Sequence, residues 1–243
     1  MLKKVSLAMA FAAFAWGGTA SAAVYYGQDV TGVNPDDSAT WVNSNAARAS
    51  FLSALSNVGS QDFESFADGQ TPPVSMNFPG STGSITATMS AGGRVQAENA
   101  TEARKGRFAT SGSQYYLIGT GQGGTTITFS ADVAAFGFYG TDIGDFNGQL
   151  VLDFLDDANN VLFSENVGMA GPNGNILFWG ITSQSNPFNA VRFRAIGSND
   201  QFGFDDFIIS DARQINPVPV PAAGLLLLSG FAGLAGMRLR RKG

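Results

Sequence analysis

The chain has 243 residues, with 14 Lys and Arg against 19 Asp and Glu, and it contains no Cys and no His. These counts exclude a disulfide framework, thiol catalysis, a Ser-His-Asp triad and zinc sites built from the usual ligands. A bound metal ion would have to be held by oxygen atoms, and hydrolysis by paired carboxylates is the catalytic chemistry that stays open. Because no acid pair stands out in the sequence, we expect a protein that is not an enzyme.

Residues 1–22 are predicted to be a secretory signal peptide. Two lysines precede an apolar stretch, and the segment "TASA" places Ala20 and Ala22 in an A-x-A cleavage site that is followed by Ala23. We therefore expect the chain to pass through the Sec translocon and to be cut by signal peptidase, so that the mature protein begins at Ala23.

The C-terminus combines a proline motif, an apolar run and a basic cluster. The run from Ala222 to Met237 carries no charge, and as a helix it would rise roughly 24 Å, a little less than the roughly 30 Å hydrocarbon core of a bilayer. Residues 222–243 are accordingly predicted to form a transmembrane helix with a basic tail. The positive charges that would stop transfer on the cytoplasmic side are Arg238, Arg240, Arg241 and Lys242.

The order "VPVPAAGLLLLSGFAGLAGMRLRRK" resembles the PEP-CTERM sorting signal, in the variant whose motif reads VPLPA. The residues that match the motif are Val218, Pro219, Val220, Pro221 and Ala222. The resemblance implies recognition and cleavage by an exosortase in the inner membrane of a Gram-negative bacterium. After a transient stay in that membrane, the protein would then reach the cell surface or the extracellular matrix.

Removing both targeting segments changes the charge balance. Two basic residues lie in the signal peptide and four lie after Pro221, which leaves eight against all 19 acidic residues, a net charge of about −11. Such a surface repels nucleic acid and anionic lipid, so we expect no nucleic-acid partner.

The body of the chain is predicted to be mainly β. One amphipathic helix is expected at 43–58, where Phe51, Leu52 and Leu55 would pack on the sheets. Nine later segments alternate with a period near two and are separated by Gly, Asn and Asp clusters; they are "SITATM", "QYYLIG", "TTITFS", "VAAFGFYG", "QLVLDFL", "NVLFSEN", "NILFWGI", "AVRFRA" and "FGFDDFIIS". This pattern favours an antiparallel two-sheet β-sandwich of the jelly-roll type.

The chain therefore divides into five predicted parts. After the signal peptide come an N-terminal segment at 23–60, a β-sandwich domain at 61–211, a linker with the proline motif at 212–221 and the membrane segment at 222–243. The body from "DFESF" to "FGFDDFIIS" also resembles the domain that VPLPA-type PEP-CTERM proteins often carry.

The last predicted strand contains two adjacent carboxylates, Asp205 and Asp206. Neighbouring side chains of a regular strand point to opposite faces, so one of the two is expected on the packed side. A buried carboxylate needs backbone N–H groups, an arginine or a hard cation as a partner.

Other acidic residues extend this candidate metal site. Asp62 and Glu64 lie in "DFESF", and Asp142 and Asp145 lie in "GTDIGDFNG". An acidic first strand and a last strand with paired aspartates resemble the jelly rolls of carbohydrate-binding modules and lectins, in which these two strands hold a structural calcium ion. The alternative is that the aspartates cap turns and pair with Arg192 or Arg194.

Three functions are compatible with this sequence. The first is a non-catalytic surface or matrix protein associated with exopolysaccharide and biofilm, as the sorting signal implies. The second is a lectin-like carbohydrate-binding module, in which Trp41, Tyr139 or Trp179 would stack on a sugar ring. The third, a carboxylate-dependent glycosidase or lyase, is less favoured because the sequence marks out no acid pair.

Overall fold

The computed structural model describes residues 22–30, 37–99, 101, 103, 106–122, 124–144, 149–167, 174–197 and 200–216. These residues form thirteen strands and one α-helix, α1 (Val42–Ser53). The strands are β1 (Ala23–Asp29), β2 (Ser60–Gln61), β3 (Val74–Pro79), β4 (Ser84–Met89), β5 (Arg94–Ala97), β6 (Gln114–Gly119), β7 (Thr125–Val133), β8 (Ala135–Thr141), β9 (Gln149–Leu155), β10 (Val161–Asn166), β11 (Ile176–Thr182), β12 (Phe188–Ile196) and β13 (Gln201–Ser210).

The strands pair antiparallel in two sheets. The seven-stranded sheet has the order β1-β11-β8-β13-β6-β5, with β2 paired to β13, and the six-stranded sheet has the order β10-β9-β12-β7-β4-β3. From β6 to β9, and again from β10 to β13, each strand belongs to the sheet opposite its predecessor. This crossing pattern is the one expected of a jelly roll, and it confirms the predicted two-sheet antiparallel architecture.

The two sheets differ in how many of their faces are buried. Between them lies one apolar core that includes Phe138, Phe154, Trp179 and Phe193. The opposite face of the seven-stranded sheet is covered as well, because α1 packs against it through a second apolar cluster. Every residue of β8 and β11 is therefore buried, whereas β3, β4 and β7 alternate between buried and solvent-facing residues.

An aspartate from β1 holds the start of α1. The Asp29 carboxylate accepts hydrogen bonds from the backbone N–H groups of Asn43 (3.0 Å) and Ser44 (2.9 Å), and from the Ser44 hydroxyl (2.7 Å). Burial alone would raise the pKa of Asp29, but these hydrogen bonds outweigh it and lower the pKa. An anion at a helix N-terminus satisfies free N–H groups and complements the helix dipole, so Asp29 fixes α1 to the sheet.

The nine predicted strands are all confirmed as β4 and β6 to β13. The structure adds β1, β2, β3 and β5, and β1 shows that the sheet begins well before residue 61. The predicted helix at 43–58 is shorter, ending at Ser53, because Leu55 leaves the helix to form a β-bridge with Ile215. The predicted contact of Phe51, Leu52 and Leu55 with the sheet is confirmed.

The predicted transmembrane helix at 222–243 lies outside the described residues. Within the ranges that the structure describes, no helix is long and apolar enough to cross a membrane.

Candidate functional site

The outer face of the six-stranded sheet, which we call the polar face, is the open surface of the sandwich. Alternation along β3, β4 and β7 sends Val, Met, Ile and Phe into the core and Ser, Thr and Asn outward. Helix α1 packs against β1 and β11 of the seven-stranded sheet and therefore lies on the other side of the sandwich. On β3, β4 and β7 the polar face therefore presents hydroxyl and amide groups.

One row of side chains crosses all six strands of the polar face. The residues of this cross-sheet row are directly opposite one another on successive strands, and in order they are Ser75, Thr88, Thr128, Ala190, Leu155 and Val161. Five inter-strand spacings give the row a length of about 24 Å. Its first half carries hydroxyls, with Ser75 Oγ 3.0 Å from Thr88 Oγ1. Its second half is aliphatic: Ala190 and Leu155 are each 2% exposed, and the row ends at the exposed Val161.

A second set of hydroxyl and amide side chains lies next to the row. Thr86 Oγ1 donates to Asn77 Oδ1 at 2.8 Å, and the Thr86 backbone N–H donates to Ser130 Oγ at 2.9 Å. These bonds orient polar side chains on β3, β4 and β7 before any ligand arrives.

The other flank of the row carries an ion-pair cluster centred on Asp153. Its buried carboxylate accepts hydrogen bonds from Arg192 (Nη2, 2.9 Å) and Arg194 (Nε, 2.8 Å), both on β12. The Ser164 hydroxyl on β10 donates to the same carboxylate at 2.7 Å. The pKa of Asp153 lies far below its usual range, mainly because Arg194 donates hydrogen bonds to the carboxylate. Asp153 therefore stays ionised.

Asp205 and Asp206 lie on the other sheet, beneath the segment 106–113. The Asp205 carboxylate is fully buried and accepts hydrogen bonds from the backbone N–H groups of Thr110 (2.7 Å) and Ser111 (3.0 Å). The Ser111 hydroxyl donates to Asp206 at 2.9 Å. Burial raises the pKa of both carboxyls, and the Asp206 charge raises that of Asp205 further. This acidic pair ties segment 106–113 to β13.

The expectation that only one of Asp205 and Asp206 faces the packed side is wrong. The register of β13 shifts between Asp205 and Ile208, and Asp206 has a positive φ of 50°. Such a bulge places one extra residue in the strand, so both aspartates are buried while Phe204 and Phe207 enter the same core.

The other predicted metal ligands have separate partners. Glu64 accepts hydrogen bonds from the backbone N–H groups of Ser113 and Gln114, and Asp62 accepts one from Glu64. The Asp142 carboxylate lies 3.2 Å from Nη1 of the buried Arg107.

Asp145 lies outside the described residues. Among those described, no three acidic side chains are grouped in a way that would hold a metal ion, and calcium binding stays a prediction.

The predicted sugar-stacking residues are wrong, because their rings are buried. Trp41 is 3% exposed, Tyr139 is 4% exposed and Trp179 is 1% exposed. Trp179 lies in the core between the sheets, and the other two lie under α1 and segment 106–113. Within the described ranges, the side chains on the polar face include no aromatic ring.

The sorting-motif residues 218–222, the basic tail and Ala20 lie outside the described residues. Ala22 is the first residue described, and Ala23 begins β1.

No protein-family model matches the sequence, and no curated protein matches it. Among solved structures, the chain is similar to the K2 cleaved adhesin domain of Lys-gingipain, with 14% identity, coverage of 63% of this chain and 97% of that one, and a TM-score of 0.41. It is also similar to the C-terminal family 22 carbohydrate-binding module of Clostridium thermocellum Xyn10B, with 14% identity, coverage of 65% and 95%, and a TM-score of 0.35. A third is TmCBM61, solved in complex with β-1,4-galactotriose, with 17% identity, coverage of 64% and 96%, and a TM-score of 0.29. These similarities are distant, so function has to be inferred from the residues of this chain.

The sequence interpretation missed Asp153, Ser164 and the cross-sheet row. The sequence did contain a signal for the polar face. The segments "SITATM" and "TTITFS" alternate hydroxyl and apolar residues, and "AVRFRA" places both arginines on one face of a strand. The order of the strands, which brings these segments side by side, was not visible in the sequence.

Proposed function

We propose that the protein is a non-catalytic module that binds a polysaccharide on its polar face. The observation that carries this proposal is the cross-sheet row, about 24 Å long, in which the hydroxyls of Ser75, Thr88 and Thr128 lie at one end and the exposed Val161 lies at the other, with the buried Ala190 and Leu155 between them. A sugar chain presents hydroxyls at its ring edges and C–H groups on its ring faces. The row offers a partner for each, with donors and acceptors on Ser and Thr and apolar contact at Val161.

The position of Asn216 supports a polar face that points away from the C-terminal attachment. The Asn216 backbone N–H donates to the Ala54 carbonyl at 2.8 Å, and the Asn216 side chain donates to the Ser53 and Leu55 carbonyls at 3.0 Å. The last described residue is thus bonded to the end of α1, on the side of the sandwich opposite the polar face. A sandwich attached through its C-terminus would present the polar face outward.

Removing the hydroxyls of the row is expected to weaken glycan binding. In the variant Ser75→Ala/Thr88→Val/Thr128→Val, three hydrogen-bonding groups are lost while the shape of the strands is kept. At about 1 kcal/mol for each hydrogen bond, the affinity should fall by about a hundredfold. Titration calorimetry of the full chain against polysaccharides selected on a glycan array measures the loss.

The matched control is Ser50→Ala/Ser53→Ala, which removes two exposed hydroxyls from α1 on the other side of the sandwich. It should bind as the wild type does. Equal loss in both variants, or no array signal with the wild type, would reject the proposal.

We further propose that the protein is exported and processed by an exosortase, as the predicted signal peptide and the proline motif suggest. The predicted signal-peptidase cut before Ala23 falls at the first residue of β1, so cleavage would leave every described strand whole. The proline motif begins two residues after Asn216, beyond the last described contact of the body.

Processing is expected to remove the C-terminal segment. The intact mass of the native protein from an exosortase-positive strain should correspond to a chain from Ala23 to a residue near Pro219 to Ala222. The same protein from an exosortase-deficient strain should keep Arg240 and stay in the membrane fraction. A mass that includes Arg240 in the positive strain would contradict this prediction.

A further inference from the structure

The two arginines of the polar face are held in a fixed orientation. Arg192 and Arg194 are two residues apart on β12 and point to the same side, where each donates two hydrogen bonds to Asp153. Because the carboxylate between them is buried and ionised, both guanidinium groups are positioned before a ligand binds. Preorganised groups lose little conformational entropy on binding, which favours affinity.

Both guanidinium groups also have donors directed away from Asp153. A guanidinium has five N–H groups, and the bonds to Asp153 use two of them in each arginine. The side chains are 40% and 43% exposed, so the other N–H groups are accessible from solvent. The cluster of two arginines and one aspartate has a net charge of +1.

This charge stands out in an acidic protein. With the targeting segments removed, the body has eight basic and 19 acidic residues. On β7, the Asp132 carboxylate accepts a hydrogen bond from the Asn189 amide at 2.8 Å, and Asn189 is three residues from Arg192 on β12. Three residues of strand span about 10 Å, so the Asp132 charge lies about one Debye length from the arginine cluster and is partly screened from it.

We infer that the polar face binds a polysaccharide with carboxylate groups, such as a uronate polymer, with a carboxylate at Arg192 and Arg194 and the adjoining sugars on the cross-sheet row. The planar guanidinium matches the two oxygens of a carboxylate, which favours a uronate. Arg192 is directly opposite Thr126, which is two residues from the exposed Thr128 of the row on the same face of β7, so one sugar chain can contact both Arg192 and Thr128. This inference rests on the proposed function and adds the class of ligand.

The test compares charged and neutral polymers with the full chain. The wild type should bind polygalacturonate at least about tenfold more tightly than neutral β-1,4-galactan, and the difference should shrink as salt is raised. Equal affinity for the two polymers would overturn the inference while leaving the proposed function intact. Failure to bind any polymer would overturn both. Tight binding of dextran sulfate without binding of polygalacturonate would overturn the choice of a carboxylate.

The variant pair Thr126→Glu and Thr126→Gln separates charge from shape. Thr126 is directly opposite Arg192, so Glu places a competing carboxylate beside the arginine without removing any partner of Asp153. The Glu variant should bind polygalacturonate at least about fivefold more weakly than the Gln variant, with similar affinities for galactan. Equal binding of polygalacturonate by the two variants would overturn the inference.

A second variant removes the cluster. Arg192→Gln/Arg194→Gln should lose polygalacturonate binding by at least about tenfold, whereas Arg213→Gln, at an exposed arginine that follows the last strand, should not. Thermal melts of both proteins establish that each is folded. A folded double variant with wild-type affinity for polygalacturonate would also overturn the inference.

Discussion

Replacing Phe51 by alanine is expected to lower the free energy of unfolding by about 3 to 5 kcal/mol. The Phe51 ring is fully buried between α1 and the seven-stranded sheet, with its centroid 5.4 Å from that of Tyr25 and 5.6 Å from that of Phe178. It lies over Gly137 and Gly180, where an added Cβ would come within 2.8 Å and 2.9 Å of the ring. A side chain at position 137 or 180 would therefore collide with the Phe51 ring, and both positions are glycine. Removing the ring opens a cavity under α1.

Thermal and denaturant unfolding of the full chain measure the Phe51→Ala effect. At about 2 to 4 °C for each kcal/mol in a protein of this size, the melting temperature should fall by about 6 to 20 °C. Val42→Ala is the matched control, because Val42 is an exposed residue of the same helix and its loss should change stability by less than about 0.5 kcal/mol. A loss below about 1 kcal/mol for Phe51→Ala would mean that α1 does not depend on this contact.

Replacing Asp205 by alanine is expected to cost about 3 kcal/mol or more. The substitution leaves the backbone N–H groups of Thr110, Ser111 and Asp206 without the carboxylate that accepts their hydrogen bonds. These groups are at least half buried, so water replaces the lost acceptor only in part. Segment 106–113 should lose its attachment to β13, which hydrogen exchange at Thr110 and Ser111 would detect.

The effect of Asp205→Ala should depend on pH in a defined direction. Because burial raises the pKa of Asp205, the folded state holds its proton more tightly than the unfolded chain does. The resulting contribution to stability is complete below the unfolded pKa of about 3.9 and is lost as the pH rises through the folded-state value. The difference in unfolding free energy between the wild type and the variant should therefore shrink as the pH rises above about 4. A difference that grows with pH would contradict the assigned shift.

The helix and strands could be predicted because their signals are local. Period-two alternation is visible within six residues of "TTITFS", and it predicts both a strand and a face exposed to solvent. The segments that form β8 and β11 were likewise predicted as strands, but their burial on both faces depends on α1, which only the tertiary structure places over them. The charge of the body and the absence of Cys and His limit the chemistry without reference to the fold.

The site could be predicted only in part, because its members come from distant segments. The sequence interpretation offered Arg192 and Arg194 as alternative partners for the predicted metal ligands, but they pair with Asp153, about 40 residues earlier. Strand pairing sets that contact, and pairing depends on the order of strands in the sheet. The aromatic residues failed as sugar-binding candidates for the same reason, since only the position of a strand in the sandwich determines whether its rings are buried.

The sequence by itself determined the local elements, the acidic surface and the alternation that makes one side of the six-stranded sheet polar. Tertiary structure decided that Ala23–Asp29 joins the seven-stranded sheet, that a bulge buries both Asp205 and Asp206, and that hydroxyls from β3, β4 and β7 form one row. The physical reason is the range of the interactions. Backbone geometry and side-chain periodicity act over a few residues, whereas strand pairing and burial depend on which distant segments share a surface.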